Sequence, residues 1–322
     1  MPFELPDRWV WDCWIADDGD RFHLFYLNAP RALGDPYLRH RNAVVGHAIS
    51  QDLRDWEDQG VVLEPGTAGE FDGTATWTGC VVRTVTGWRM FYTGSLFLDP
   101  SEHTNIESIG TADSRDLQSW SKTERPPLRA DPRWYETLPD RTWPEEAWRD
   151  PWVFFEGGVW HMLITARARR VAGTPDDRDL GVVGHATSDD LVSWTINDPL
   201  SAPGAGFAHL EVLQAVEFDG RHFVLFSCDR AHLAGARREL QQGGVWVAPR
   251  DPATGWCDIE EARQIHDESL YAARVVRERD GRQALIGFVN TGADGSFGGR
   301  ISDPIPLTID DEGWPSVRSM ET

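Results

Sequence analysis

Residues 46–56 read GHAISQDLRDW, and the same skeleton, G-x-A-x-S-x-D-L-x-x-W, returns at 110–120 as GTADSRDLQSW and at 184–194 as GHATSDDLVSW. The copies start 64 and 74 residues apart, and a degenerate fourth runs from Gly244 to Trp256. Self-similarity at such a period marks a repeat architecture. Each copy reads as a strand, a tight turn and a second strand opening at the tryptophan. Ser and Asp bond nearby backbone in such turns, and the flanking Val, Ala and Trp suit a half-buried sheet. Trp56, Trp120 and Trp194 recur because they pack between units, not because they touch a ligand.

A second series interleaves with the first, at residues 9–28, 76–95, 147–166, 209–229 and 270–290. Each member is an apolar strand, a turn rich in Gly or Asp, and another apolar strand. Comparable points fall at Asp12, Thr78, Asp150, Glu211 and Ala272, which are 66, 72, 61 and 61 residues apart. Five units, each worth about four strands, predict an all-β fold, a five-bladed β-propeller. With no Pro/Gly/Ser-rich linker interrupting the period, residues 1–322 are expected to form a single domain. Its inner strands are expected to begin near Trp11, Trp77, Arg149, Leu210 and Tyr271. The stretches 122–148 and 169–179 are long excursions beside compact blades, and long loops on a rigid scaffold shape pockets. Both are expected at the pocket mouth, restricting it to short substrates.

The chain's 31 basic against 52 acidic side chains give a net charge of −21. Such a field repels phosphate backbones and anionic membranes, so neither nucleic acid nor lipid is an expected partner. A neutral sugar is indifferent to it. Lys122 is the only lysine, which fits either a GC-rich genome or adaptation to salt. Cys13, Cys80, Cys228 and Cys257 have neither disulfide-framework nor zinc-like spacing and read as small buried hydrophobes. The first residues lack a basic and apolar leader pattern, and no apolar run approaches the ~18 residues of a membrane span. The expectation is a cytoplasmic protein. Its oligomeric state is not legible.

In a propeller the first strand of each blade lines the central channel, so side chains near its start converge on the axis. Three such positions are acidic and lie in apolar stretches: Asp12 in WVWDCWI, Asp150 in WRDPWVF and Glu211 in HLEVL. A carboxylate in such surroundings is costly to desolvate unless it is paired or has a task. Arg149 is a ready counter-charge for Asp150. Converging carboxylates without a metal motif point to cleavage of a glycosidic bond, needing neither cofactor nor metal. Trp11, Trp14, Trp77 and Trp152 are candidates either to stack on sugar faces or simply to pack.

These segments resemble the clan of glycoside hydrolase families 32 and 68, the invertases, fructanases and levansucrases. Val10-Trp11-Asp12-Cys13-Trp14 resembles the levansucrase segment holding the nucleophilic aspartate. Trp77-Thr78-Gly79-Cys80 with Phe91-Tyr92-Thr93-Gly94 is similar to the clan's Trp-Ser-Gly-Ser and Tyr-Thr-Gly pair. Trp148-Arg149-Asp150-Pro151 matches its Arg-Asp-Pro motif, Glu211 followed by Phe223–Ser227 falls where the acid/base belongs, and Tyr271-Ala272 with the stretch 281–287 resembles a part of family 32. Two departures stand out: family 32 has Asn-Asp-Pro-Asn and Glu-Cys where this chain has Trp-Asp-Cys-Trp and Glu211-Val212. Its C-terminal β-sandwich has no counterpart in the 32 residues after Asn290.

The resemblance implies a retaining glycosidase or fructosyltransferase acting on sucrose or short fructans. Asp12 would be nucleophile, Asp150 transition-state stabiliser and Glu211 acid/base. Trp11, Trp14, Trp77, Thr78, Arg149 and Tyr271 would surround the small carbohydrate. Two other readings stay open: an inverting arabinan- or xylan-type glycosidase on the same fold, and a propeller that only binds carbohydrate.

Overall fold

The repeated S-x-D-L segment makes the same turn three times. The Ser50 hydroxyl accepts the backbone N–H groups of Asp52 and Leu53, and the Asp52 carboxylate accepts those of Arg54 and Asp55, at 2.9–3.1 Å. Ser114 with Asp116, and Ser188 with Asp190, repeat the arrangement. The leucine that follows is left-handed each time, with φ of 65° at Leu53, 63° at Leu117 and 62° at Leu191. That conformation costs a non-glycine residue ~1–3 kcal/mol, and burying each leucine side chain in the core offsets it. Leucine is therefore invariant among the three copies because its side chain is needed inside, although the backbone would favour glycine.

The computed structural model describes residues 1–99, 101–170, 176–292 and 294–317. Its strands form five antiparallel sheets that follow one another along the chain. Blade 1 contains β1 (Arg8–Asp17), β2 (Phe22–Pro30), β3 (Val44–Ser50) and β4 (Glu57–Leu63). Blade 2 contains β5 (Ala75–Thr84), β6 (Gly87–Phe97), β7 (Asn105–Ser114) and β8 (Ser121–Lys122). Blade 3 contains β9 (Trp148–Glu156), β10 (Val159–Arg167), β11 (Gly181–Ser188) and β12 (Thr195–Asn197). Blade 4 contains β13 (Glu211–Phe218), β14 (Arg221–Cys228), β15 (Gly244–Pro249) and β16 (Arg263–Asp267). Blade 5 contains β17 (Leu270–Arg277), β18 (Gln283–Thr291), β19 (Phe297–Ile301), β20 (Ile305–Ile309) and β21 (Pro315–Val317), with β19 paired to β18 beside the main path. This is the five-bladed propeller, and β1, β5, β9, β13 and β17 begin where the sequence put the inner strands.

Apolar clusters fill the gaps between neighbouring blades. Trp120 of blade 2 meets Phe25 of blade 1 edge-on at 5.6 Å, and Trp194 of blade 3 meets Phe91 of blade 2 in the same way at 5.5 Å. The ring closes where β1 packs against β17, β18 and β19, and Phe3 bridges to Ile301. All four cysteines are free and buried. Among the described residues no helix is long and apolar enough to cross a membrane.

Candidate active site

Every inner strand slips register once near its start. The slips lie between Trp11 and Cys13, between Trp77 and Gly79, opposite Leu163 and Thr165 in blade 3, between Glu211 and Gln214, and between Tyr271 and Arg274. These are β-bulges, which bend a strand and re-aim a side chain. Four of the five carry a left-handed residue: Asp12 (φ 25°), Asp150 (φ 57°), Val212 (φ 56°) and Ala272 (φ 47°). The bulges, strained in every blade but the second, set equivalent residues in two rings around the axis. Asp12, Thr78, Asp150, Val212 and Ala272 form one, and Trp11, Trp77, Arg149, Glu211 and Tyr271 form the other.

This corrects the expected alignment of the acids. Asp12 and Asp150 share a ring, but Glu211 belongs with the residues one step earlier, and its blade's bulge position is Val212. The slip in β13 lies after Glu211, and a one-residue offset is invisible to spacing alone. All the ring residues except Ala272 line one pocket of about 740 Å³, so the offset still leaves Asp12, Asp150 and Glu211 in its lining.

Of the other residues singled out in the sequence, Trp11, Trp77, Thr78, Arg149 and Tyr271 also line the pocket. Trp14 does not. It lies beyond the bulge, 1% exposed and stacked on Phe25 at 6.0 Å, so the expected sugar platform is a core residue. Trp152 packs between the clusters of blades 3 and 4, and the Arg274 guanidinium lies 5.0 Å from its ring. Of the excursion 122–148, Trp143, Pro144 and Glu145 reach the pocket, and the Arg167 guanidinium braces the Trp143 ring from 4.2 Å. Residues 171–175 of the second excursion lie outside the described residues. Its flank supplies Arg178, 5.6 Å from the Trp143 ring.

Asp12 accepts a hydrogen bond from the Thr78 hydroxyl. Burial, reinforced by the charge of Asp150, pushes its carboxyl up to about 7. Asp150 accepts from the Thr165 hydroxyl at 2.9 Å and the Val212 N–H at 3.2 Å, and its own N–H donates to Thr93 Oγ1 at 2.9 Å. Burial raises this carboxyl as well, against the pull of Arg149.

Arg149 is the hub of the opposite wall. Its Nη2 donates to Glu211 at 2.7 Å, its Nη1 reaches Glu107 at 3.1 Å and Glu145 at 3.2 Å, and its Nε lies 3.6 Å from Asp150. Burial opposes its charge, yet these four carboxylates hold it well above the ordinary arginine value. The Tyr271 hydroxyl donates to the second oxygen of Glu211, so both oxygens of that carboxylate are held. Among the described residues no group of three or more His, Cys, Asp and Glu is placed to hold a metal ion.

The sequence reading missed Glu107, Glu145, Arg39 and also His209, whose Nδ1 lies 3.2 Å from Arg149 Nη2 behind the pocket lining. Glu107 is fully buried, burial pushes its carboxyl up, and it also accepts the Trp148 N–H at 3.1 Å. A signal for it existed: three residues before the repeat glycine the copies carry Ala43, Glu107 and Gly181, so the acid stands alone. Arg39, from the 3₁₀ segment Pro36–Asn42, and Glu145, from a long loop, had no comparable pattern.

Residues 14–297 match the N-terminal domain of the glycosyl hydrolases family 32. The chain belongs to this family. The match leaves Asp12 just outside its first residue. The chain is 26% identical over 280 residues to the sucrose-6-phosphate hydrolase of Escherichia coli, covering 84% of this chain and 52% of that protein. A raffinose invertase of the same organism is also 26% identical, over 277 residues, covering 84% of this chain and 52% of its own length. The chain thus spans about half the length of these curated relatives. Among solved structures, an inulosucrase from Halalkalicoccus jeotgali bound to kestose superposes with a TM-score of 0.78 at 21% identity, covering 98% of this chain and 89% of that one. A family 32 β-fructofuranosidase of Bombyx mori gives 0.74 at 21% identity, covering 99% and 64%. At this identity the superpositions establish the shared propeller.

Proposed function

We propose that this family 32 chain is a retaining glycosidase that cleaves β-fructosides such as sucrose or short fructans, passing the fructosyl unit to water or to an acceptor sugar. The observation that carries the reading is the convergence of three carboxylates on one pocket, each held by different partners. Asp12 attacks the anomeric carbon of the fructosyl unit while Glu211 gives its proton to the departing glycosidic oxygen, leaving fructose esterified to Asp12. Glu211, now a carboxylate, takes a proton from water or a sugar hydroxyl, whose oxygen displaces Asp12 and completes the cycle. Asp150 accepts hydrogen bonds from fructosyl hydroxyls and opposes the positive charge that develops on the ring. Arg149 and Tyr271 fix the orientation of Glu211, while Trp11 and Trp77 flank the sugar. Trp143 and Glu145 border the mouth, which favours short substrates. The names of the relatives, a sucrose-6-phosphate hydrolase and a raffinose invertase, agree with this class of substrate.

The test is to incubate the protein with sucrose, short fructans, arabino-oligosaccharides and xylo-oligosaccharides and to resolve the products by chromatography. Fructose, or fructans lengthened by a fructosyl unit, is the expected product. Acid-quenched mass spectrometry of the protein during turnover should show the mass of one fructosyl unit on the peptide containing Asp12. Arabinose or xylose release without fructose would overturn the reading.

A further inference from the structure

We infer that the pocket selects uncharged fructosides and rejects those bearing a phosphate ester, an inference that rests on the fructoside reading above. Besides Asp12, Asp150 and Glu211, the lining includes the acids Glu102, Glu107, Glu145 and Asp229. Among the described lining residues Arg39, Arg149 and His232 oppose them, the last held above its ordinary histidine value, against burial, by its bond to Asp229, and none is a lysine. Recognition of a phosphate needs a cation with free donors, because charge-assisted hydrogen bonds supply both its affinity and its geometry. Here Arg149 is heavily engaged, and of the two arginines Arg39 alone is left to face the acids of the lining. Arg149 is shared by four carboxylates. Among the described residues Arg39 gives only Nη1 to a protein partner, the Pro36 carbonyl at 3.0 Å; its guanidinium lies 4.2 Å from the Phe297 ring and its unpartnered Nε is buried away from solvent.

The histidines do not fill the gap. His232 is paired with Asp229 at 2.9 Å, and burial pushes His40 down to about 3, so it is uncharged near neutrality. His103 Nδ1 meets the Tyr37 hydroxyl at 3.1 Å and stands next to Glu102 in the chain. Arg41, close to the mouth but outside the lining, donates to the Glu102 carbonyl and lies 4.1 Å over Phe97. A phosphate monoester carries a charge of about −1.5 to −2 at neutral pH. It would enter a cleft, within a chain of net charge −21, where burial pushes Asp12 and Glu107 towards the protonated form but the five other lining acids still outnumber the three cations. A neutral sugar meets the same carboxylates as hydrogen-bond acceptors for its hydroxyls.

The experiment compares kcat/KM on sucrose and on sucrose 6-phosphate. Sucrose is expected to be favoured by about tenfold or more at low ionic strength, since like charges a few ångströms apart repel strongly in a cleft. The preference should shrink as salt is raised from ~0.1 M to ~1 M and screens the walls. Glu102→Lys, at the mouth, should raise the relative rate on the phosphate ester. Equal or better turnover of the phosphate ester by the unaltered protein would overturn the inference. A preference indifferent to both salt and Glu102→Lys would also overturn it, since shape rather than charge would then be selecting. Turnover of neither compound, nor of any fructan, would remove the fructoside reading itself, and this inference with it.

Discussion

The two walls of the pocket hold their carboxylates by opposite means. On the side of blades 1 and 2, Asp12 has one neutral donor, Thr78, and no direct ion pair among the described residues. Burial and the neighbouring Asp150 drive its carboxyl up to about 7. On the side of blades 3, 4 and 5, Glu211 is gripped on one oxygen by the Arg149 guanidinium and on the other by the Tyr271 hydroxyl. The same functional group thus sits in two regimes a few side chains apart, and the carboxyl raised by burial is that of the proposed nucleophile, Asp12. An ionised Asp12 is poorly solvated and unneutralised, which suits attack on a centre that becomes oxocarbenium-like. Glu211 is fixed in direction, which suits proton delivery to a single oxygen.

The largest effect should come from deleting the ring that holds Asp12 and Asp150. Asp12→Ala should lower turnover of every fructoside by ~10⁴-fold or more, because no other group can take the fructosyl unit. Asp150→Ala should come close to that, since it loses contacts that strengthen in the transition state. Initial rates on sucrose and on an activated aryl fructoside check both. Retention of a tenth of the activity by either variant would break the division proposed here.

Glu211→Ala tests the other wall. Sucrose turnover should fall by about 10²–10⁴-fold, while an aryl fructoside whose leaving group needs no proton should still load Asp12, with azide rescuing release. Were azide to rescue Asp12→Ala instead, the roles would be reversed. Wild-type rates in Glu211→Ala would direct attention to Glu145, a loop carboxylate that also lines the pocket.

A subtler effect concerns pH. In the free enzyme Asp12 is protonated below about 7, so kcat/KM should fall on the acid side of that value. Thr78→Val removes the bond that favours the ionised form and should move this limb to higher pH. A pH profile that stays put in the variant would show that Asp12 does not set it. Stability reports the same group with a definite sign. A carboxyl raised in the folded state contributes stability below its unfolded pKa and loses it as pH rises to about 7. Asp12→Asn should therefore raise the unfolding free energy most above pH ~7, by up to about 4 kcal/mol, with the gain vanishing towards pH ~4. Thermal unfolding across that range decides it.

The smallest catalytic effect should come from Trp14→Phe, which probes the side of β1 that faces away from the pocket. Unfolding free energy should drop by about 1–3 kcal/mol, with KM and kcat for sucrose unchanged. A raised KM would return Trp14 to the binding surface.

Much of this molecule was legible before any coordinates. Five apolar units at a steady period left few ways to bury their strands, so the propeller and the starts of its inner strands followed from the pattern of Gly46, Gly110 and Gly184 and the interleaved hairpins. Asp12, Asp150 and Glu211 stood out because a charged side chain inside an apolar strand needs a reason. Side-chain direction was not legible. A bulge inserts a residue and changes which side chain points inward, so Trp14 went to the core and Glu211 fell one position out of step with the two aspartates. Nor did the sequence reveal Glu145 or Arg39, whose loop and 3₁₀ segment come to the pocket by tertiary packing alone. The local chain thus determined which strands form and which residues are costly to bury. Only the closed ring of blades decided which of those residues meet, because contacts between neighbouring blades around the axis join residues some sixty positions apart, as Arg149 and Glu211 are, whereas period and propensity act only on near neighbours.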